Sequence, residues 1–169
     1  VPIAKLPPPP RHAADMSDGE AFSQILRVQG GDKYKIGPVL AEGGMGTVRE
    51  AMDIHCRRIV AIKELHKDRP LADADITRFI EEAQITSQLE HPNIVPIHEL
   101  GFDTDQNAFY AMKFVHGVTL TDILIRIRKG EKTFIEQYPL SRLLNIFQKV
   151  CDAIAFAHSR GIVHCDLKP

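Results

Sequence analysis

The chain has 169 residues, which is enough to bury one hydrophobic core. Its 21 basic and 22 acidic side chains leave a formal net charge of −1, which argues against a nucleic-acid or anionic-membrane partner. The cysteines Cys56, Cys151 and Cys165 are widely scattered, so we expect no disulfide framework and a reducing compartment. No apolar run is long enough to span a membrane.

Residues 1–32 are predicted to be a Pro-rich linker or tail. The run Pro7–Pro10 favours an extended backbone that pairs with no strand. Ala21–Val28 has some helical character and is a candidate short helix before the domain. We prefer a spacer as the role of the proline run, and a docking ligand for a partner is the alternative.

The next segment is predicted to be three short strands, joined by a glycine-rich turn and by a turn around Ile54–Arg57. These strands are Tyr34–Ala41, Thr47–Met52 and Arg58–Leu65. A helix is predicted over Asp75–Leu89, because apolar side chains recur there at helical spacing. Asp73 and Asp75 suit the positive N-terminal end of that helix.

Two further strands are predicted at Val95–Phe102 and Ala108–Val115, separated by the polar turn Asp103–Asn107. A short helix follows around Asp122–Arg128, and either Thr119 or Thr121 can cap it. The spacing then predicts a long helix over 140–159. Its predicted core stripe consists of Leu140, Leu143, Leu144, Phe147, Val150, Cys151, Ile154 and Ala155.

Motifs that could carry chemistry occur along these elements. Backbone amides approach phosphates closely only where side chains are absent, so the cluster Glu42–Val48 suits a lid over a nucleotide. A glycine cluster alone is a weak signal, because most such clusters are plain turns. Three further segments follow in order: Val60–Lys63, Phe109–Gly117 and His164–Pro169.

Taken in this order, the four segments resemble the front half of a bacterial-type Ser/Thr protein kinase, over about Tyr34–Pro169. The resemblance implies an α+β, protein-kinase-like fold. Its N-lobe would be a five-stranded antiparallel sheet plus one helix, followed by the first helices of the helical C-lobe. The implied domain boundaries are 33–169 for a partial kinase domain, with 33–115 as the N-lobe and 116–169 as the start of the C-lobe.

The resemblance also implies an ATP site. Lys63 would contact the α- and β-phosphates and pair with a helix carboxylate. Glu82 is favoured over Glu81 as that partner, because Arg78-Phe79-x-x-Glu82-Ala83 is similar to the family's helix. Ala61 would leave room for the adenine. The implied nucleotide-binding residues are Leu40, Ala41, Glu42, Gly43, Gly44, Met45, Gly46, Thr47, Val48, Ala61, Lys63, Met112, Lys113 and Val115.

Within that set, Met112 would be the gatekeeper behind the adenine. The Lys113 carbonyl and the Val115 amide would hydrogen-bond the adenine edge. Ala41 departs from the family pattern, which has glycine at this place, and this departure bears on the stiffness of the loop.

The catalytic residues implied by the resemblance are Asp166, Lys168, Lys63 and Glu82. Asp166 would accept the proton of the attacking hydroxyl or orient it. Lys168 would neutralise charge on the transferred phosphoryl group, and a lysine there is more similar to Ser/Thr kinases than to tyrosine kinases. Cys165 is a departure, since most relatives carry arginine beside the catalytic aspartate.

The implied function is ATP-dependent transfer of the γ-phosphoryl group to a Ser or Thr hydroxyl of a protein. ATP and Mg²⁺ would be the cofactors, and ATP and a protein substrate the partners. The family's Mg²⁺-binding Asn and Asp-Phe-Gly would lie beyond Pro169, so we expect no metal ligands in this chain and a fragment that is inactive alone. The alternative is a pseudokinase or ATP-binding scaffold. We expect a cytoplasmic location, either by itself or as part of a membrane-anchored protein.

Overall fold

The structure is a computed structural model, and it describes residues 33–66 and 72–169. The predicted proline spacer and the predicted helix at Ala21–Val28 lie outside these residues. The described chain divides into two compact units. The first contains the residues up to Gln88 together with Val95–Phe114, and the second contains Leu89–Ile94 and Val115–Pro169.

The first unit is built on a five-stranded antiparallel sheet with the strand order β1-β2-β3-β5-β4. This confirms the predicted N-lobe sheet. The strands are β1 (Tyr34–Glu42), β2 (Gly46–Asp53), β3 (Arg58–Leu65), β4 (Ile97–Phe102) and β5 (Ala108–Lys113).

The predicted limits of β4 and β5 were too wide, because β4 begins at Ile97 rather than Val95, and β5 ends at Lys113 rather than Val115. Pro96 has no N–H to donate to a ladder, so regular pairing on that side starts after it. The Pro96 carbonyl still accepts a hydrogen bond from the Lys113 amide at 3.1 Å. Val95 and Val115 therefore lie outside the sheet.

The two faces of the sheet carry separate apolar clusters, because successive side chains of a strand point to opposite sides. One face carries Tyr34, Ala51, Val60, Ile62, Phe109 and Ala111. The other face carries Leu65, Ala108 and Tyr110, which pack with Phe79 and Ala83. Lys63 lies between Ile62 and Leu65 in β3, and the alternation places it on the second face.

Helix α1 (Asp73–Ser87) packs on that second face. It begins at Asp73 rather than Asp75, and both aspartates lie in its first turn, where the helix dipole favours negative charge. Phe79 and Ala83 are one turn apart and are both buried against the sheet. The helix ends at Ser87 rather than Leu89, with Gln88 as its C-cap, and Leu89 belongs to the second unit.

The second unit contains α2 (Leu120–Arg128), α3 (Lys132–Gln137) and α4 (Leu140–Ser159). Thr119 caps α2, and its side chain accepts a hydrogen bond from the Asp122 amide at 3.1 Å, which decides between the two candidate caps. Helix α3 was not predicted, because its six residues are too few to show a periodicity. Within the described ranges, no helix is both long and apolar enough to cross a membrane.

Helix α4 spans the predicted residues and ends in a Schellman motif. Gly161 has φ +74°, the Ile162 amide donates to the Ala157 carbonyl at 3.0 Å, and the Gly161 amide donates to the His158 carbonyl at 2.9 Å. Glycine adopts a left-handed backbone of this kind with little strain, because it has no Cβ.

The predicted apolar stripe of α4 is largely exposed in the described residues and does not form a core there. Leu140 is 71% exposed, Phe147 is 63% exposed and Leu144 is 56% exposed. The buried residues of the helix are Ala153 and Ala157 instead. Periodicity identified an apolar face correctly, but no element within residues 115–169 covers it.

Candidate active site

Lys63 and Glu82 form an ion pair between β3 and α1. The Lys63 Nζ atom donates to Glu82 Oε1 at 2.7 Å and to Oε2 at 3.0 Å. The Lys63 side chain is 20% exposed and the Glu82 side chain is 42% exposed. Glu81 is exposed. Adjacent residues of a helix point about 100° apart around its axis, so Glu81 does not point in the direction of Glu82. The carboxylate that contacts Lys63 is therefore the one that the sequence pattern favoured.

Tyr110 is a third member of this group, which sequence reasoning missed. It lies directly opposite Lys63 in the pairing of β3 with β5, and it is only 4% exposed. Its hydroxyl donates to Glu82 Oε1 at 2.8 Å. Burial and then the hydrogen bond to Glu82 raise the pKa of Tyr110 above its ordinary value, so the phenol keeps its proton.

The aromatic rings beneath Lys63 complete its surroundings. Lys63 Nζ lies 5.5 Å from the Tyr110 ring centroid and 5.8 Å from the Phe79 ring centroid. The Phe79 and Tyr110 rings pack with centroids 5.0 Å apart. An ammonium over aromatic faces is attracted by the ring quadrupole. Two rings and a carboxylate therefore define the position of one cation.

The glycine-rich turn connects β1 to β2. The Gly43 amide donates to the Gly46 carbonyl at 2.9 Å and closes the turn. A Cβ at Gly46 would collide with the Glu64 carbonyl oxygen, whereas a Cβ at Gly44 would meet nothing within 4 Å. Gly46 is thus required by the close approach of β3. Gly44 leaves open space at the turn, as a site for a phosphate requires.

Three of the predicted adenine-side residues, Val48, Ala61 and Met112, lie on the same face of the sheet as Lys63. Val48 pairs directly with Lys63, and Ala61 pairs with Met112. Directly paired residues of antiparallel strands project from the same face. Ala61 is buried, Val48 and Met112 are half-buried, and Leu40 on β1 is 44% exposed.

The remaining predicted loop residues surround the turn. Ala41 lies opposite Val48, and Glu42 lies opposite Thr47, in the pairing of β1 with β2. Met45 is half-buried within the turn itself. The turn is also held from β3, because His66 Nε2 lies 2.8 Å from the Gly43 carbonyl oxygen.

The predicted adenine-edge segment crosses the division between the two units. Lys113 is the last residue of β5 and belongs to the first unit. Val115 belongs to the second unit and is 63% exposed. Gly117, two residues further on, has φ +137°, a backbone conformation that favours glycine.

The segment at the end of the chain brings together the second predicted pair. Lys168 Nζ lies 2.8 Å from Asp166 Oδ2, and both side chains are highly exposed. The hydrogen bond from Lys168, and then its charge, lower the pKa of Asp166 below its ordinary value. Asp166 is therefore a carboxylate at neutral pH, the form that can accept a proton from a hydroxyl.

The backbone of this segment is tightly turned around Cys165. Cys165 has φ +58°, which is uncommon for a residue other than glycine. The Asp166 amide donates to the His164 carbonyl at 2.9 Å, and His164 Nδ1 lies 3.3 Å from the same amide. These local contacts orient the residue that carries the carboxylate.

Similarity to known proteins agrees with this arrangement. The model of the protein kinase domain family matches residues 34–169. The Ser/Thr-protein kinase PknD of Chlamydia caviae is 37% identical over 142 residues, which cover 81% of this chain and 15% of that protein. PknD of Protochlamydia amoebophila is 39% identical over 142 residues, which cover 82% of this chain and 14% of that protein.

The chain spans about 15% of the length of the curated relatives it matches. The match to the family model includes the glycine-rich turn, the Lys63–Glu82 pair and the segment around Asp166. The chain thus belongs to the protein kinase domain family, and its relatives here are bacterial Ser/Thr protein kinases.

Proposed function

We propose that this chain provides the ATP-binding part and the catalytic aspartate of a Ser/Thr protein kinase. The reaction is transfer of the γ-phosphoryl group of ATP to a Ser or Thr hydroxyl of a protein. The observation that carries the proposal is the ion pair of Lys63 with Glu82, 2.7 Å apart, on a sheet that also bears the glycine-rich turn. In this proposal, residues 33–169 are a partial kinase domain and residues 1–32 are a linker or tail.

ATP fits the residues of the first unit. The Lys63 ammonium supplies the cation for the α- and β-phosphates, and Glu82 holds that ammonium in place. The open space at Gly44 lets backbone amides approach a phosphate. Ala61, Val48 and Met112 offer an apolar surface for the adenine. ATP would supply the phosphoryl group and its leaving group.

Asp166 and Lys168 act on the acceptor side of the reaction. The Asp166 carboxylate orients the attacking hydroxyl and accepts its proton. Lys168 lowers the pKa of that carboxylate and places a positive charge beside the reacting group. A cation beside the reacting group stabilises charge on phosphoryl oxygens in the transition state.

Protein kinases generally use Mg²⁺ with ATP. Among the described residues, no group of three or more His, Cys, Asp or Glu side chains is arranged to hold a metal ion. Mg²⁺ is ordinarily held by one or two carboxylates together with the phosphates. We propose that the protein ligands of this Mg²⁺ lie outside residues 1–169.

The decisive experiment is Asp166→Asn in the full-length protein that contains this chain. A base that acts in the transition state affects turnover and not ground-state binding. We expect kcat for phosphorylation of Ser and Thr residues to fall about 10²- to 10⁴-fold. The Kd of an ATP analogue, measured by calorimetry, should stay within about twofold of the wild-type value, because Asp166 does not hold the nucleotide.

His158→Asn is a control, since His158 lies in the last turn of α4, outside the proposed catalytic segment. Its kcat should equal that of the wild type. Phosphotransfer that is unchanged in Asp166→Asn would remove Asp166 from the mechanism. A wild-type protein that binds ATP and transfers no phosphate would instead be a nucleotide-binding scaffold.

A further inference from the structure

Glu82 forms an ion pair of defined geometry although its side chain is partly exposed to water. Its side chain is 42% exposed, and exposed ion pairs contribute little because both side chains lose freedom and water screens the charges. Glu82 nevertheless presents both oxygens to Lys63, at 2.7 Å and 3.0 Å. A further contact must restrict the rotation of the carboxylate.

The contact that restricts Glu82 is the phenol of Tyr110. The Tyr110 hydroxyl lies 2.8 Å from Oε1, the same oxygen that is closest to Lys63. Two features restrict Tyr110. It is paired with Lys63 within the sheet, as a residue of β5, and its ring packs on the fully buried Phe79. A rigid, buried donor on a neutral ring can therefore fix an otherwise mobile carboxylate.

We propose that Tyr110 is a positioning residue that holds the Glu82 carboxylate in the orientation in which it fixes Lys63. The role in phosphoryl transfer rests on the proposed function, whereas the contact with Glu82 is independent of it. Among the described residues, the Glu82 carboxylate accepts hydrogen bonds from Lys63 of β3 and from Tyr110 of β5. The donation runs from the phenol to the carboxylate, since the carboxylate can only accept.

The substitution Tyr110→Phe tests this, because it removes one oxygen and keeps the ring on Phe79. The first measurement is the labelling rate of Glu82 by a water-soluble carbodiimide with glycine ethyl ester, followed by peptide mass spectrometry on the full-length protein. Glu81, its exposed neighbour in α1, is the internal reference. Loss of the donor frees Oε1 to meet the reagent, so we expect labelling of Glu82 relative to Glu81 to rise about three- to tenfold.

Tyr34→Phe is a matched control in the same unit. Tyr34 is also buried, and its hydroxyl donates to Glu99 at 2.5 Å, but it belongs to the apolar cluster on the opposite face of the sheet. Its loss should leave the labelling of Glu82 unchanged. Equal labelling of Glu82 in wild type and Tyr110→Phe would overturn the proposal, and so would an equal rise at Glu81, which marks general loosening.

The second measurement is kinetic and uses Glu82→Gln. We expect Tyr110→Phe to lower kcat/KM for ATP about three- to tenfold, and to lower it no further in the Glu82→Gln background. An equal loss in both backgrounds would show that Tyr110 acts elsewhere, and would overturn the positioning role. If the wild-type protein transfers no phosphate, the proposed function fails, and the labelling of Glu82 alone decides the role of Tyr110.

Discussion

Lys63 shows how single residues on neighbouring elements build a cation site. The ammonium is held by Glu82 from α1 and lies above the rings of Phe79 and Tyr110. Each of these contacts comes from a different part of the chain, and all of them converge on one nitrogen atom. A cation constrained in this way loses little further freedom when it binds an anionic ligand.

The substitution Lys63→Met tests the importance of this charge. It keeps most of the bulk of the side chain and removes the ammonium. We expect the binding free energy of the full-length protein for an ATP analogue to weaken by about 1.5–3 kcal/mol, or about 10- to 160-fold in Kd, because a charge-assisted contact is lost. Isothermal calorimetry measures it. The control is Lys35→Met, because Lys35 is an exposed residue of β1. Equal affinity of Lys63→Met and the wild type would refute the assignment.

At the scale of elements, the turn between β1 and β2 contains glycines that serve different purposes. Gly46 lies where β2 approaches β3, and a Cβ there would collide with the Glu64 carbonyl. Gly44 lies at the outer part of the same turn, with open space around its Cα. The two positions therefore predict opposite responses to the same substitution.

Gly46→Ala should lower the free energy of unfolding by about 1–3 kcal/mol, because the backbone of β2 or β3 must shift to admit the methyl group. Gly44→Ala should change it by less than about 0.5 kcal/mol, as for an ordinary surface substitution. Urea unfolding of both variants and the wild type provides the comparison. Similar stability of the two variants would show that the strands do not approach each other as closely as described.

The turn between β2 and β3 is organised by Asp53, which is fully buried. Its carboxylate accepts hydrogen bonds from the Cys56 amide at 3.0 Å and from Arg58 Nε at 3.3 Å. Burial alone would raise the pKa of Asp53, but these hydrogen bonds outweigh it and the net pKa is lowered. The charged form therefore stabilises the turn, in which Arg57 has φ +52°.

Asp53→Asn should lower the free energy of unfolding at pH 7 by about 1–3 kcal/mol, because buried hydrogen bonds to a charged acceptor are weakened. The pKa of Asp53 is lower in the folded protein than its value of about 3.9 in the unfolded chain, so its charge stabilises the fold above that pH. This stability is lost as pH falls through the pKa of the folded protein. The gap between wild type and variant should therefore begin to narrow as pH falls below about 4. Denaturant unfolding at several pH values measures it, and a gap that stays constant or widens as pH falls below about 4 would contradict the role of the charge.

At the scale of the whole molecule, one face of α4 carries large apolar side chains that the described residues of the second unit leave exposed. Leu140, Leu144 and Phe147 are more than half exposed, and they lie on one side of the helix. Contiguous exposed apolar surface of this kind promotes association between molecules. The chain of residues 1–169 by itself should therefore self-associate through α4.

Replacing Leu144 and Phe147 together by Ser should reduce that association, because it removes two large side chains from the exposed face. Size-exclusion chromatography with light scattering on residues 1–169 gives the mass of the species present. Val163→Ser is the control, since Val163 is 67% exposed and lies outside α4. A monomeric wild-type chain, or equal association of all three proteins, would contradict the expectation.

The order of the elements and several contacts were determined by the sequence itself. The strand pattern of Arg58–Leu65 predicted β3, and the helical spacing of apolar side chains such as Phe79 and Ala83 predicted α1. The motif around Glu82 indicated the partner of Lys63, and the long periodicity of α4 indicated its limits. The limits of these elements are local features, and local patterns of side chains can be read from the sequence. The partner of Lys63 was instead implied by the resemblance to the helix of the kinase family.

Other features were decided only by the tertiary structure. The contact of Tyr110 with Glu82 depends on the register of β5 against β3, which joins residues that are 28 positions apart. The exposure of the α4 stripe depends on which elements cover that face of the helix. Helix α3 was found only in the structure, because it is too short to show a periodic pattern in the sequence. Periodicity states which face a side chain occupies, whereas its neighbour across that face is set by chain segments far away in sequence.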